Sequence, residues 1–155
     1  MKNKGCLLVV VVVVVILSAA GWVYKQIPKI NGFPVSFADI YTPQGNNEFI
    51  VHWTAKQNKE AVRTLAQALS NQKDLAPLDQ APADYWFRIT LEHTSSPIDM
   101  LVWLPSDRPA SFVYAFREAD GTMGYGGVQA SYPISDRNRD KLLQLLSREV
   151  SSSER

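Results

Sequence analysis

The chain has 155 residues, a length that fits one domain or at most two. A hydrophobic fraction of 46% against 20% charged residues excludes a wholly disordered chain, and a single cysteine excludes an intramolecular disulfide or a multi-cysteine metal site. The net charge of +1 argues against a basic nucleic-acid binder, and it is unevenly placed: residues 1–25 hold Lys2, Lys4 and Lys25 and no acid, so residues 26–155 are net acidic.

The first element is the uncharged run from Gly5 to Tyr24, centred on the valines Val9 to Val15. As a helix this run would reach about 30 Å, the thickness of a hydrocarbon core, with Trp22 and Tyr24 at one interface. The pattern predicts a transmembrane anchor over 1–25, in contact with a lipid bilayer. Lys2 and Lys4 favour a cytoplasmic N-terminus and an extracytoplasmic remainder. The competing reading is a signal peptide cleaved after Ala20, on the small residues Ser18-Ala19-Ala20, followed by secretion. The apolar character that resumes at Trp22-Val23-Tyr24 weighs against cleavage. Cys6 precedes the apolar run, so it does not fit a lipidated lipoprotein cysteine, and it reads more simply as an apolar filler than as an acylation site.

Residues 26–32, broken by Pro28 and Gly32, read as a linker to a domain over 33–150. Phe33, Val35 and Phe37 alternate and predict a strand over 33–42. A turn cluster, Pro43 to Asn47, separates it from a second strand over 48–54 with Phe49, Val51 and Trp53 on one face. A helix follows from about Asn58 to Ser70, with Val62, Leu65, Ala66 and Leu69 as its apolar stripe, Asn58 as cap and Asn71 as its end. Residues 72–83, with Pro77 and Pro82, read as a loop.

Three strands come next. Tyr85, Phe87, Ile89 and Leu91 share a face in the first, and Ile98, Met100, Val102 and Leu104 in the second. Phe112, Tyr114 and Phe116 share one in the third. Asp120-Gly121 predicts a hairpin to a short strand around Met123–Val128. The last element is a helix from about Asp136 to Val150, capped by Ser135, with Leu142, Leu143, Leu146 and Val150 as its stripe; 151–155 reads as a frayed tail. The predicted fold class is α+β: an N-terminal transmembrane helix, then a small antiparallel sheet with two helices packed on one face.

Within this order, the strand Ala83-Asp84-Tyr85-Trp86-Phe87-Arg88-Ile89, the strand Leu101-Val102-Trp103-Leu104 and the run Tyr132-Pro133-Ile134-Ser135 leading into Lys141 to Leu146 resemble the YhfM-like domain of small exported bacterial proteins. The resemblance covers about residues 48–148. It implies an exported α+β domain of unassigned function and no catalytic residue. The lipidation motif typical of such proteins is absent from this sequence.

Chemistry-bearing patterns are few. His52 and His93 have no second ligand at metal spacing, and His52 falls on the strand face opposite Val51 and Trp53. No nucleophile motif is present. Gly124-Tyr125-Gly126-Gly127 lacks the helix and the Lys or Ser/Thr that a phosphate cradle needs, and reads as a bulged or twisted edge strand. The pattern therefore implies no catalytic residue, no metal and no cofactor. One feature remains. If the apolar faces above meet the helices, the opposite face carries Trp86, Arg88, Leu101, Trp103, Val113 and Arg117, where an antiparallel sheet is ordinarily polar. Two readings stand: a recognition surface, which needs Trp86 and Trp103 to reach solvent, or a face covered by the 33–42 strand, by loop 72–83 or by a second layer. The expected function is a membrane-anchored, extracytoplasmic, non-catalytic binding module for an envelope protein or cell-wall component, with Trp86, Arg88, Leu101, Trp103 and Arg117 as its site. The alternative is a small secreted hydrolase using two acidic residues.

Overall fold

The computed structural model describes residues 3–42, 49–70, 74–118 and 122–153. Among these described residues, three helices and nine strands follow in the order α1 (Asn3–Gln26), β1 (Lys29–Ile30), β2 (Phe33–Tyr41), β3 (Phe49–Thr54), α2 (Lys59–Leu69), β4 (Ala76–Pro77), β5 (Tyr85–Leu91), β6 (Ile98–Trp103), β7 (Ala110–Arg117), β8 (Met123–Gly124), β9 (Ala130–Ile134) and α3 (Asp136–Ser153). The strands form one sheet in the order β1-β2-β5-β6-β7-β9-β4, with β3 also paired to β2 and β8 to β7. Every pairing is antiparallel.

This corrects the expected fold. The sheet is larger than predicted, and among the described residues no helix is long and apolar enough to cross a membrane. Over residues 9–22 of α1 the rise is about 21 Å, short of the roughly 30 Å that a span needs. The single-pass placement and the transmembrane or signal-anchor reading drawn from Gly5 to Tyr24 are overturned with it. Ala20 lies inside α1.

The rest of the chain departs from expectation where pairing is short or irregular. The segment read as a linker holds β1, which turns back onto β2 through Asn31-Gly32, with φ of 53° and 85°. A two-residue turn with both φ values positive matches the right-handed twist of its strands, and Asn-Gly is its preferred sequence. The loop over 72–83 holds β4, which pairs with β9. The tail is helical as far as Ser153. The turn cluster 43–47, Asn71 and Asp120-Gly121 lie outside the described residues, although β7 and β8 do pair as the hairpin requires. Asn58 starts α2 without a side-chain cap; its Oδ1 instead accepts the Thr54 N–H at 3.1 Å. Ser135 starts α3 and accepts the Asn138 N–H on its hydroxyl at 3.4 Å.

The main core lies between α2, α3 and one face of the sheet. The helical stripes deliver Val62, Leu65, Leu69, Leu142 and Leu146, and the alternating strand positions deliver Phe87, Ile89, Met100, Val102 and Phe112. Strand periodicity places all of these on one face, as expected. Phe116 departs from the pattern at 49% exposed, because β7 there runs past β6 and pairs with Gly124 of β8. β2 departs too. Its register against β5 slips between Val35 and Phe37, so Val35, Ala38 and Ile40 face the core while Phe37 does not. One extra residue in a ladder reverses the facing of everything beyond it.

Candidate functional site

The opposite face of the sheet is divided in two. One half is a second apolar core of Leu78, Ala83, Trp86, Leu101, Trp103 and Val113. It is covered by residues 76–84, which run back over β6. That segment is held by the β4–β9 pairing, by the Leu78 N–H donating to the Gln129 carbonyl (3.2 Å) and by the Trp103 indole donating to the Ala81 carbonyl (2.8 Å). Asp79, paired with Arg108, accepts the Ala81 N–H at 2.9 Å and fixes the bend. Met123 and Tyr125 are partly buried and pack against the cluster. Trp86 and Trp103 are each 1% exposed, so a site built on solvent-accessible indoles is withdrawn. Of the five residues expected there, Leu101 and Trp103 belong to this core, and Trp86 contributes only through what sits on it.

The other half is polar. His52 of β3, Asp39 of β2, Arg88 of β5 and Asp99 of β6 are successive cross-strand partners, so basic and acidic groups alternate across four strands. His52 Nδ1 bonds Asp39 Oδ1. Arg88 donates from Nε (3.0 Å) and Nη2 (3.3 Å) to the two oxygens of Asp99. Asp99 Oδ1 also accepts the Trp86 indole N–H at 2.8 Å.

The neighbouring row begins Tyr41, Trp86, Leu101, Val113. The Tyr41 ring stacks on Trp86 with centroids 4.4 Å apart. The guanidinium carbons of Arg88 and Arg117 each lie 5.2 Å from the centre of the same indole, within cation–π range. Trp86 is thus the platform on which both arginines are arranged.

The charges are layered. The carboxylates lie low, with side-chain exposures of 16% for Asp39 and 12% for Asp99. The basic side chains paired with them reach outward, at 43% for His52 and 32% for Arg88. Arg117 is exposed. The hydrogen bond that Arg88 donates to Asp99 holds its guanidinium above its usual pKa, against a smaller opposing effect of burial. Burial, then the Asp39 carboxylate, raises the Tyr41 phenol. Its hydroxyl stays protonated and able to donate a hydrogen bond throughout the neutral range.

Trp86, Arg88 and Arg117 are therefore brought together, and Asp39, Tyr41 and Asp99 join them unforeseen. Asp99 was open to detection: it shares the outward phase of β6 with Leu101 and Trp103, and an acid on an apolar phase needs a partner. Asp39 and Tyr41 were not. Extending the phase of Phe33, Val35 and Phe37 puts both on the core face, and only the slip at Ser36 turns them outward.

Other candidates resolve into structural parts. His93 sits in the β5–β6 turn with φ of 63°. Gly126 and Gly127, at φ of 61° and 73°, form a tight turn in which the Val128 N–H bonds the Tyr125 carbonyl, and no helix follows it directly. A groove of about 600 Å³ opens between α3 and the ends of β3 and β5, lined by Ile50, Tyr85, Leu104, Leu143 and Leu146. Its acid, Asp84, accepts the Leu104 N–H at 2.7 Å. Among the described residues, no three His, Cys, Asp or Glu side chains lie together as a metal site would require.

No family model, curated protein or solved structure matches the chain.

Proposed function

We propose that this domain is a non-catalytic binding module whose recognition surface is the polar half of the outer sheet face, centred on Arg88 and Arg117 above Trp86. One observation carries the reading: two guanidinium groups are arranged on a single buried indole, one of them fixed by two hydrogen bonds to Asp99. Arginines held this way have lost much of their side-chain freedom before any partner arrives, which lowers the entropic cost of binding. Arginine beside aromatic rings is also the composition enriched at interaction hot spots. The kinship with YhfM-like domains belongs to the same proposal and rests on the residues that resemble them. No observation favours the hydrolase reading, since Asp39, Asp84 and Asp99 are each engaged by a neighbouring donor.

A photo-crosslinking amino acid placed in turn at Arg117, at Tyr41 and at Gln144 on the exposed side of α3 tests the surface. Specific adducts from 117 and 41 but not from 144 are expected. Adducts from 144 alone would overturn the assignment.

A further inference from the structure

We infer that the ligand of this face is an acidic segment of a partner protein, docked through a carboxylate on Arg117 and the free donors of Arg88. This rests on the proposed surface and adds the chemistry of its occupant.

Asp39 and Asp99 lie beneath their partners, at 16% and 12% side-chain exposure, so an approaching group meets guanidinium and imidazole before it meets a carboxylate. Arg88 uses Nε and one Nη2 hydrogen on Asp99, which leaves Nη1 and the second Nη2 hydrogen for a ligand. Arg117 is exposed and makes no ion pair with any described residue. Both guanidinium carbons sit 5.2 Å from one ring centre, so they are at most about 10 Å apart and one short acidic segment can span both.

The same layering selects among anions. Counting Asp39, Asp99, Arg88 and Arg117, the patch is formally neutral, with its positive charge outermost. A monoanionic, planar carboxylate matches an arginine fork and feels little from the acids below. A phosphate dianion strengthens its attraction to the arginines and its repulsion from the acids together, so a formally neutral patch offers little to offset the greater cost of desolvating its second charge. The flat Tyr41 ring beside the site, stacked on Trp86 at 4.4 Å, offers a peptide backbone or side chain something to lie on.

The test uses the ¹⁵N-labelled full chain and three probes: a short oligoglutamate peptide, inorganic phosphate and a short oligolysine peptide. The Trp86 indole N–H, bonded to Asp99, is the reporter. Oligoglutamate is expected to shift this resonance saturably and to bind several-fold more weakly as salt is raised. Arg117→Gln is expected to weaken it about tenfold, and Arg117→Lys to recover part of the loss. Phosphate binding as tightly as the peptide, a response to oligolysine, or an affinity unchanged in Arg117→Gln would each overturn the inference. Failure of the parent reading looks different. If position 117 crosslinks a partner that oligoglutamate does not displace, the surface stands and the acidic class falls. If position 117 yields no adduct and oligoglutamate leaves the reporter unmoved, both fall.

Discussion

Arg88 and Asp99 face each other in register across β5 and β6, and the carboxylate that receives the guanidinium also receives the indole N–H of Trp86. One acid thereby joins the exposed arginine layer to the second apolar core. The pair is 32% and 12% exposed, so solvent screens the arginine side far more than the aspartate side.

Asp99→Ala strands the Trp86 N–H and releases Arg88. The expected loss is about 2 kcal/mol, mostly from the buried donor left without an acceptor. Urea unfolding measures it, and the Trp86 indole resonance should move upfield in the variant. A loss below about 0.5 kcal/mol would remove Asp99 from this role.

Trp103→Ala opens the second core and frees residues 76–84 from their bond through Ala81. A cost of about 3–5 kcal/mol is expected. Hydrogen exchange should show lost protection at the Leu78 amide, which bonds Gln129. Trp53 gives a useful contrast: it is fully buried, and its indole N–H has no hydrogen-bond partner among the described residues. Trp53→Phe should therefore cost less than Trp103→Phe, because only the second forfeits an indole hydrogen bond.

The Asn31-Gly32 turn holds β1 in place and so keeps Ile30, which is 0% exposed, in the main core. Gly32→Ala should destabilise by roughly 1–2 kcal/mol, since φ of 85° is costly for any residue with a Cβ although no atom obstructs it. Asn31→Gly keeps the turn and gives up the side-chain bond to the exposed Tyr114 hydroxyl, so its cost should be smaller. Chemical denaturation of the two variants side by side settles the order.

Tyr85 and Tyr41 have phenol pKa values raised, each chiefly by burial; a neighbouring acid adds to this, Asp84 for Tyr85 and Asp39 for Tyr41. A raised folded value means that the native state holds its proton where the unfolded chain has released it. The stability involved is complete below the unfolded value of about 10 and is lost as pH rises through the folded value. Stability should fall above pH 10, and less steeply in Tyr85→Phe. Alkaline titration followed by tyrosinate absorbance should lose a late component in that variant.

The sequence was most legible where periodicity is long and regular. Val62, Leu65, Ala66 and Leu69 occupy the buried side of α2, and Phe87, Ile89, Met100, Val102 and Phe112 the inner face of the sheet, as their spacing requires. Pairs of two residues were not legible. β1 and β4 carry no period, and β4 exists only because Ala76 and Pro77 meet Ser131 and Ala130 in space. The Asn31-Gly32 turn was written in the chain as an Asn-Gly dipeptide, but the flanking strands were too short to announce a hairpin. At the N-terminus, apolar composition pointed to a membrane span that no described helix is long and apolar enough to make.

What the sequence by itself determined is the set of alternating faces and helical stripes, because covalent geometry fixes periods of about 2 and 3.6 whatever the surroundings. It also determined that the outer face would be apolar at Trp86, Leu101, Trp103 and Val113. Only the tertiary structure decided what that face does. Residues 76–84 folded over Trp103 and turned an apparent recognition surface into a second core. A single slip at Ser36 brought Asp39 and Tyr41 outward beside Arg88 and Trp86, creating the polar half on which the proposed site stands. Neither event has a local signature, because cover and register depend on which strands meet, and that is settled by packing across the whole sheet.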